Sequence, residues 1–210
     1  MKVPTTLNRI VWRRLAALAW ALAAAAGFAS LTVYGTQGQL PARPPVAAEA
    51  KMPVAPVGFT LVMAVHPQCP CTRASLYDLE RLIARCGEAL RVKFIMYVPR
   101  GQDWSDSALW KQVAGLPGAE VIWDVDGKLG ASVGATTSGS VVLYAASGEP
   151  RFWGGITNGR GMSGESAGAD AIAAIVKGGL DIATPTAVYG CPLCEPREAC
   201  NMSDRGTVNK

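Results

Sequence analysis

The folded part of the chain opens with an apolar run and an amphipathic segment, joined by a short turn that contains two cysteines. Phe59 to Val65 is almost entirely apolar, which is typical of a buried strand. From Thr72 to Cys86 apolar residues recur at helical spacing and charged residues take the opposite face. The pattern predicts a strand, a sharp turn and a helix that packs one face on a sheet. The apolar helix positions are Leu76, Leu79, Leu82 and Ile83.

The rest of the pattern alternates between short apolar runs and amphipathic segments. Such alternation predicts an α/β fold with a central mixed sheet flanked by helices. A turn with Ser147-Gly148 and Pro150 joins the last two runs, so we expect those strands to form an antiparallel hairpin. The predicted elements are a strand at Val92 to Val98, a helix at Ser105 to Leu116, a strand at Val121 to Trp123, a hairpin of Val141 to Tyr144 with Phe152 to Ile156, and a helix at Ala167 to Lys177.

An uncharged stretch from Leu15 to Tyr34 precedes this domain and is long enough to cross a membrane as a helix. An excess of basic residues stands only before it, which predicts a cytoplasmic amino end and an exported domain. We therefore predict a basic arm over 1–14 and a transmembrane anchor over 15–35, in a single-pass protein of the bacterial inner membrane. A cleaved signal peptide is the alternative, with Gly27-Phe28-Ala29 as a cleavage site.

Composition divides the exported part into three segments. Residues 36–57 are rich in proline and alanine without periodicity, which predicts a semi-extended linker that holds the domain off the membrane. The periodic segments define a domain over 58–180. Residues 181–210 form a tail that carries the remaining cysteines.

The net charge of +4 does not indicate a nucleic-acid partner. The excess lies entirely in the arm, in Lys2, Arg9, Arg13 and Arg14, and basic and acidic residues balance beyond it. A balanced exported domain lacks the positive patch that polyanion binding requires. We therefore expect no nucleic-acid partner.

Six cysteines in an exported chain indicate an oxidising compartment, the periplasm. They form one cluster at Cys69 and Cys71, a second at Cys191, Cys194 and Cys200, and a single residue, Cys86. Sequence alone does not define the connectivity. We interpret Cys191-Pro192-Leu193-Cys194 first as a disulfide in the tail, with Cys86 and Cys200 as a second pair and a redox relay between the clusters as the alternative.

Cys69-Pro70-Cys71 is the candidate redox site. It opens the predicted helix, and a helix amino terminus stabilises a thiolate through unpaired N–H groups and its dipole. We expect Cys69 to be the attacking thiol. A Cys69–Cys71 bridge would close a strained ring that is easily reduced, so Cys71 is the first candidate to resolve it. Cys191 is the alternative if the tail folds back over the site.

Several residues that flank the two thiols are candidates for a role in the chemistry. His66 either caps the turn or, if protonated, lowers the pKa of the Cys69 thiol. Arg73 could act in the same way or be a solvated helix residue. Asp124 and Asp126 are interpreted as turn residues, and the glycines of Gly159 to Gly164 as shaping a groove beside Cys69.

The order of elements over residues 58 to 178, with cysteines at the first helix, resembles the thioredoxin fold. A second resemblance is to membrane-anchored proteins of the TlpA and ResA type. It is carried by the stretch from Asp124-Val125-Asp126-Gly127 through Val133-Gly134 to Val141–Tyr144. A closer resemblance is to the bacterial RedB family of thioredoxin-like proteins. The residues that carry it are His66-Pro67-Gln68-Cys69-Pro70-Cys71-Thr72-Arg73-Ala74-Ser75, Thr137-Ser138-Gly139, Gly154-Gly155-Ile156-Thr157 with Arg160-Gly161, and Gly190-Cys191-Pro192-Leu193.

This resemblance implies a thioredoxin-like domain with two departures from the general pattern. Thr72 occupies the place of the second cysteine of Cys-x-x-Cys, and the loop Ser138-Gly139 lacks the usual proline. We predict thiol–disulfide chemistry at Cys69 and Cys71, flanked by His66, Pro70, Thr72, Arg73, Ser138 and Gly139. We expect no cofactor, and we expect a protein thiol or disulfide partner that resets the pair.

Two other functions are compatible with the same residues. Soft-metal binding, above all of copper(I), would use Cys69, Cys71 and His66 as ligands. A non-catalytic thioredoxin-like scaffold is the second alternative, since the second cysteine is displaced and the proline is missing.

Overall fold

The computed structural model describes residues 5–193, with side chains from residue 9 onward, and divides them into two compact units. The first unit ends at Gln37 and consists of helix α1 (Thr5–Thr36). Within it, Arg9–Thr36 is long and apolar enough to cross a membrane by length and composition. The predicted membrane-spanning helix is therefore present as a continuous helix.

The second unit begins at Gly38 and has a central sheet with helices around it. The strand order is β3-β2-β1-β4-β5. Strands β1, β2 and β3 run parallel, whereas β4 pairs antiparallel with β1 and with β5. The strands are β1 (Phe59–Val65), β2 (Leu90–Val98), β3 (Glu120–Val125), β4 (Val141–Ala145) and β5 (Pro150–Gly154), and the helices are α2 (Pro70–Cys86), α3 (Ala108–Ala114), α4 (Lys128–Ser132) and α5 (Ala167–Val176).

Strand β1 lies at the centre of the domain and contributes to both of its cores. Because successive side chains of a strand point to opposite faces, Leu61, Met63 and Val65 face one core and Val62 and Ala64 face the other. The first core is completed by the apolar faces of α2 and α5, at Leu76, Leu79, Leu82, Ile172 and Ile175. This packing fixes the end of β1 against the start of α2, where the cysteines lie.

The segment predicted as a free linker packs against the domain instead. Ala47, Ala50 and Met52 are buried in the second core, and the amide of Ala47 donates to the carbonyl of Gly148 at 2.9 Å. The Tyr144 hydroxyl donates to the carbonyl of Pro45 at 3.4 Å. Small apolar alanines and a methionine are the side chains that can cover a sheet face closely, so the composition that predicts a tether here forms a core layer.

Part of the predicted tail also belongs to the domain. Gln39 and Val188 exchange two backbone hydrogen bonds, of 2.9 and 2.8 Å, which join the segment after α1 to the chain near the site. Thr137 and Pro192 form a second antiparallel bridge. The chain therefore returns across the domain up to Leu193, the last described residue.

One of the two predicted turn residues stabilises a short helix that the pattern did not predict. The buried carboxylate of Asp124 accepts hydrogen bonds of 2.8 Å from the amides of Leu129 and Gly130 at the start of α4. Asp126 accepts from the amide of Arg100 and pairs with its guanidinium, both at 2.9 Å. Asp126 therefore lies in the turn after β3, whereas Asp124 belongs to β3 and caps α4.

Candidate active site

Cys69 lies at the amino terminus of α2, directly after the turn that leaves β1. Its amide donates to the carbonyl of His66 at 2.9 Å, which closes the turn, and Cys69 itself is the N-cap residue. Pro70 occupies the first helical position, where its fixed φ suits a helix and its missing N–H costs no hydrogen bond. The local sequence therefore places the Cys69 sulfur at the positive end of the helix dipole.

Hydrogen bonds to the Cys69 sulfur stabilise its thiolate. Burial is the largest influence on the thiol and opposes ionisation, because Cys69 is completely buried. Hydrogen bonds from Thr72 and from Cys191 outweigh it, so the pKa of Cys69 lies below the ordinary value. The amide of Cys191 donates to the sulfur at 3.4 Å. Cys69 is thus the thiol of this site best suited to be a thiolate near neutral pH.

The Ser138-Gly139 loop lies directly against the start of α2. The Ser138 hydroxyl accepts from the amide of His66 at 2.8 Å and shares a hydrogen bond of 2.5 Å with the Thr72 hydroxyl. Gly139 has a φ of +88° and leaves only 3.1 Å between an added Cβ and the hydroxyl of Ser75. Ser138 therefore positions Thr72, which in turn contacts the Cys69 sulfur, and Gly139 lets the loop approach α2 closely.

Cys71 is half-buried in the first turn of α2 and differs from Cys69 in its electrostatics. Burial and the charge of a Cys69 thiolate raise the pKa of Cys71, and the guanidinium of Arg160 opposes them. Arg160 also donates to the carbonyl of Gly190 at 3.1 Å. Its guanidinium therefore lies beside the thiols, and although Arg160 belongs to one of the family motifs, it is not among the predicted site residues.

Cys191 is brought to Cys69 by the tail, although 122 positions separate them in the sequence. The carbonyl of Cys191 accepts from the amide of Ser138 at 2.8 Å, and the amide of Leu193 donates to the carbonyl of Thr136 at 2.9 Å. Burial, together with hydrogen bonding to Cys69, raises the pKa of Cys191 to about 11. Three thiols, at positions 69, 71 and 191, therefore share one site.

The remaining predicted cysteines lie elsewhere or are not described. Cys86 is half-buried at the far end of α2, and burial raises its pKa. Cys194 and Cys200 lie outside the described residues. The predicted Cys191–Cys194 and Cys86–Cys200 bridges remain predictions.

His66 has a structural environment that disfavours a positive charge. Its ring stacks on Tyr97 at 5.3 Å between centroids and lies 5.1 Å from the ring of Trp104. Burial lowers the pKa of His66, and its Nδ1 accepts from the amide of Gln68 at 3.2 Å. The geometry matches a turn cap. Arg73 is exposed, and neither residue is among the causes of the lowered Cys69 pKa.

The alternative metal ligands are not arranged as a metal centre. Within residues 9–193, where side chains are described, no group of three histidine, cysteine or acidic side chains is placed to hold an ion. The Nδ1 of His66 accepts a hydrogen bond from the amide of Gln68 in its own turn, and the ring packs on Tyr97 and Trp104. Cys69, Cys71 and His66 as a joint ligand set stay a prediction.

The glycine-rich stretch from Gly159 to Gly164 is a loop beside α2. The amide of Gly164 donates to the buried carboxylate of Asp78 on α2 at 2.9 Å, and Arg160 reaches the thiols from the same loop. The expectation that these glycines shape the surroundings of Cys69 agrees with this arrangement.

Comparison with known proteins shows similarity at the level of the fold. No protein-family model matches the chain, and no curated protein matches it. An uncharacterized conserved protein from Geobacillus kaustophilus is similar in structure with a TM-score of 0.54 and 14% identity, over 77% of this chain and 95% of that one. The hypothetical protein SMc02350 from Sinorhizobium meliloti 1021 is similar with a TM-score of 0.53 and 19% identity, over 76% and 96%.

A secreted Mycobacterium tuberculosis disulfide oxidoreductase homologous to E. coli DsbE is similar over 58% of this chain and 81% of that one, with 18% identity and a TM-score of 0.40.

In the present chain, three parallel strands are followed by an antiparallel hairpin in the order β3-β2-β1-β4-β5, and cysteines open the helix after β1. This is an α/β protein with a thioredoxin-like fold.

Proposed function

We propose that this protein is a membrane-anchored thioredoxin-like protein that carries out thiol–disulfide exchange in the periplasm through Cys69 and Cys71. The observation that carries the proposal is the environment of Cys69. Its sulfur lies at the amino terminus of α2 and receives hydrogen bonds from Thr72 and Cys191, which lower the pKa of the thiol. A stabilised thiolate is the nucleophile that exchange requires.

The exchange begins with attack of the Cys69 thiolate on a disulfide of a protein partner. A bond forms between the Cys69 sulfur and one partner sulfur, and the other partner sulfur leaves as a thiolate. A second thiol of this chain then displaces the partner, and the Cys-Pro-Cys motif offers Cys71. The reaction needs no cofactor, but a dithiol partner must reduce the resulting bridge.

The location rests on α1 and on the basic residues at the amino end of the chain. The helix is long and apolar enough to cross a membrane, and Lys2, Arg9, Arg13 and Arg14 lie ahead of its uncharged stretch. The positive-inside bias then places the domain on the outer side of the inner membrane. RedB, to which the cysteine-bearing motifs are similar, is the family that we propose for the chain.

A non-catalytic scaffold is the second candidate, and a specific observation favours it. Cys69 is completely buried, so a partner disulfide cannot reach it in the conformation described. A scaffold would keep Cys69 reduced and covered, whereas an exchanger must expose it transiently. The two proposals therefore differ in whether Cys69 reacts at all.

A redox titration of the full chain in detergent micelles tests the proposal. The protein is equilibrated in metal-free glutathione buffers over a range of potentials, quenched with an alkylating reagent and analysed by mass spectrometry. We expect Cys69 to exchange reversibly with glutathione, and Cys86 provides an internal comparison away from the site. Failure of Cys69 to oxidise at any potential would favour the scaffold, and protection by added copper(I) would favour metal binding.

A further inference from the structure

The tail is attached to the active-site loop by backbone hydrogen bonds on both sides of Cys191. Ser138 donates to the carbonyl of Cys191 at 2.8 Å, and Leu193 donates to the carbonyl of Thr136 at 2.9 Å. Between them, Thr137 and Pro192 form an antiparallel bridge. This short pairing fixes the register of the tail, so that Cys191 rather than a neighbour lies at Cys69.

The residue before Cys191 is adapted to this close approach. A Cβ added to Gly190 would lie 1.9 Å from the carbonyl oxygen of Ser138, a distance that no side chain tolerates. The carbonyl of Gly190 accepts a hydrogen bond of 3.1 Å from Arg160. The glycine thus lets the tail contact the loop, and Arg160 holds it there.

The side chain after the bridge anchors the same segment. Leu193 is buried in the second core, together with Val133, Ala135 and Tyr97. Backbone pairing, a glycine contact and an apolar anchor therefore act on four consecutive residues, 190–193. Residues 190–193 are therefore an ordered part of the candidate active site.

Cys71 is less well placed to form a bridge with Cys69. One residue separates them, and that residue is Pro70, whose ring fixes φ while Cys71 already belongs to α2. Closing a disulfide across this spacing would require the helix start to distort from the preferred geometry. Cys191 belongs to a separate segment, and it can approach Cys69 without disturbing the helix.

The geometry points to Cys191 as the thiol that resolves the mixed disulfide on Cys69, so that the working redox pair is Cys69–Cys191 and the tail is its carrier. This inference rests on the proposed exchange at Cys69 and replaces Cys71 by Cys191 as the second thiol. Because the tail covers Cys69, the tail must move away for a partner to bind. It must then return so that Cys191 can attack the mixed disulfide between Cys69 and the partner.

The electron balance of the cycle is that of two successive exchanges. The Cys69 thiolate attacks a partner disulfide and releases the first partner thiolate. Cys191 then loses its proton and attacks the Cys69 sulfur, the Cys69–Cys191 bond forms, and the second partner sulfur leaves and takes up a proton. Two electrons pass from the cysteine pair to the partner, and a dithiol of another protein returns them by reducing the Cys69–Cys191 bond.

The unequal acidity of the two thiols defines the direction of the returning attack. The thiol with the lower pKa is the better leaving group, and hydrogen bonds lower the pKa of Cys69 while burial raises that of Cys191 to about 11. An incoming dithiol is therefore expected to attack the Cys191 sulfur and to release the Cys69 thiolate.

The test is to trap the intermediate on the full chain in detergent micelles. The reduced protein is treated with oxidised glutathione, quenched by acid, alkylated and digested, and the cysteine-containing peptides are identified by mass spectrometry. Free glutathione is kept well below the ~mM effective concentration of a tethered thiol, so that intramolecular resolution dominates. We expect a Cys69–Cys191 linkage in the unmodified protein and in Cys71→Ser.

Removing Cys191 separates this inference from its rivals. In Cys191→Ser we expect glutathione to remain on Cys69 at about ten times or more its level in the unmodified protein, since a tethered thiol exceeds the free one. Cys86→Ser is the matched control and should resolve normally. Two outcomes would overturn the inference while leaving exchange at Cys69 intact. In the first, glutathione is released from Cys69 in Cys191→Ser but not in Cys71→Ser. In the second, a Cys191–Cys194 bridge forms while Cys69 stays glutathionylated.

A pair of glycine variants tests the tail without removing a thiol. Gly190→Ala should prevent seating of the tail and lower the yield of the Cys69–Cys191 linkage. Gly179→Ala is the control, because an added Cβ there meets only Ala174, at an ordinary 3.5 Å. Equal yields in both variants would contradict the role of the tail, and absence of any Cys69 oxidation in every variant would contradict the exchange function itself.

Discussion

At the scale of single residues, hydrogen bonds rather than a neighbouring cation account for the acidity of Cys69. Thr72 contacts the sulfur from the first turn of α2, and the hydroxyl of Ser138 holds the Thr72 hydroxyl in place. Thr72→Val removes the hydroxyl and keeps the shape of the side chain. We expect the pKa of Cys69 to rise, so that the alkylation rate of Cys69 reaches its half-maximum at a higher pH.

The measurement is the rate of iodoacetamide labelling of Cys69 as a function of pH, with the site resolved by mass spectrometry. The unmodified protein should show a midpoint below the ordinary cysteine value, since its thiolate persists to lower pH. Thr60→Val is a matched control, because this buried threonine accepts a hydrogen bond from the amide of Ala55 at 2.8 Å and is not among the groups that shift Cys69. An unchanged midpoint in Thr72→Val would show that its hydroxyl is not responsible.

The local part of this site could be predicted from the sequence, and the long-range part could not. Cys69, Pro70 and Thr72 are adjacent to a helix start, so their chemistry follows from the order of residues. Arg160 comes from a glycine-rich loop, and its approach to Cys71 depends on how that loop closes on α2. The pairing of Thr136 and Ser138 with the tail is made by backbone groups, which any sequence carries. Gly190 is the residue whose identity indicates this close approach in the sequence.

At the scale of elements, the segment before β1 is a structural layer of the domain. Met52 is 3% exposed in the second core, where its side chain packs with the buried alanines 47 and 50. Truncating a buried methionine costs about 2–5 kcal/mol through lost transfer energy and the cavity that remains. We expect Met52→Ala to lower the free energy of unfolding by about this amount.

Urea unfolding of the full chain in detergent micelles, followed by tryptophan fluorescence, measures this loss. Val57→Ala is the matched control in the same segment, because Val57 is 82% exposed and its truncation removes little contact. A tether would give equally small effects at both positions. The structural layer predicts a clear difference between them.

Short helix α4 depends on a single buried carboxylate. Asp124→Asn replaces one acceptor oxygen by a donor, which faces the amide of Leu129 or Gly130 and leaves it unpaired. An unsatisfied buried amide costs about 1–3 kcal/mol, and we expect a loss of this size in urea unfolding. Asp126→Asn is the control, because its pair with the exposed Arg100 contributes at most about 1 kcal/mol. Equal losses would contradict the capping role of Asp124.

The elements that the sequence predicts well are those with a long continuous pattern. β1 has the predicted bounds because its run is almost entirely apolar, and α2 begins only two residues earlier than predicted. β5 ends at Gly154 instead of Ile156, since the tail approaches there and an added Cβ on Gly155 would lie 2.3 Å from the carbonyl of Ala187. α4 has five residues, too few for a helical pattern.

At the scale of the whole molecule, the chain combines a helix of membrane-spanning length with a thioredoxin-like domain in which we propose Cys191 as the resolving thiol. In the proposed cycle, the domain completes exchange at Cys69 with its own second thiol and then requires only a reductant. If α1 is retained as an anchor, every reaction of the domain takes place close to one membrane surface. The membrane topology therefore determines which reductants can reach the site.

The basic residues ahead of the uncharged stretch of α1 allow a direct test of this topology. We expect alkaline phosphatase, fused after residue 210, to be active in a bacterial host, because this enzyme requires an oxidising compartment for its disulfides. Replacing Lys2, Arg9, Arg13 and Arg14 by glutamate removes the positive-inside signal and should lower the activity. Arg73→Glu, an exposed substitution in the domain, is the control and should leave activity unchanged.

The intact mass of the extracted fusion then distinguishes an anchor from a signal peptide. A retained α1 predicts the full mass and a protein that stays with the membrane after carbonate washing, because some 28 residues of apolar helix remain in the bilayer. Cleavage near Ala29 would give a shorter, soluble product with an active phosphatase. An inactive phosphatase on a full-length, membrane-bound chain would instead place the domain in the cytoplasm, where reducing conditions would keep the Cys69–Cys191 pair open.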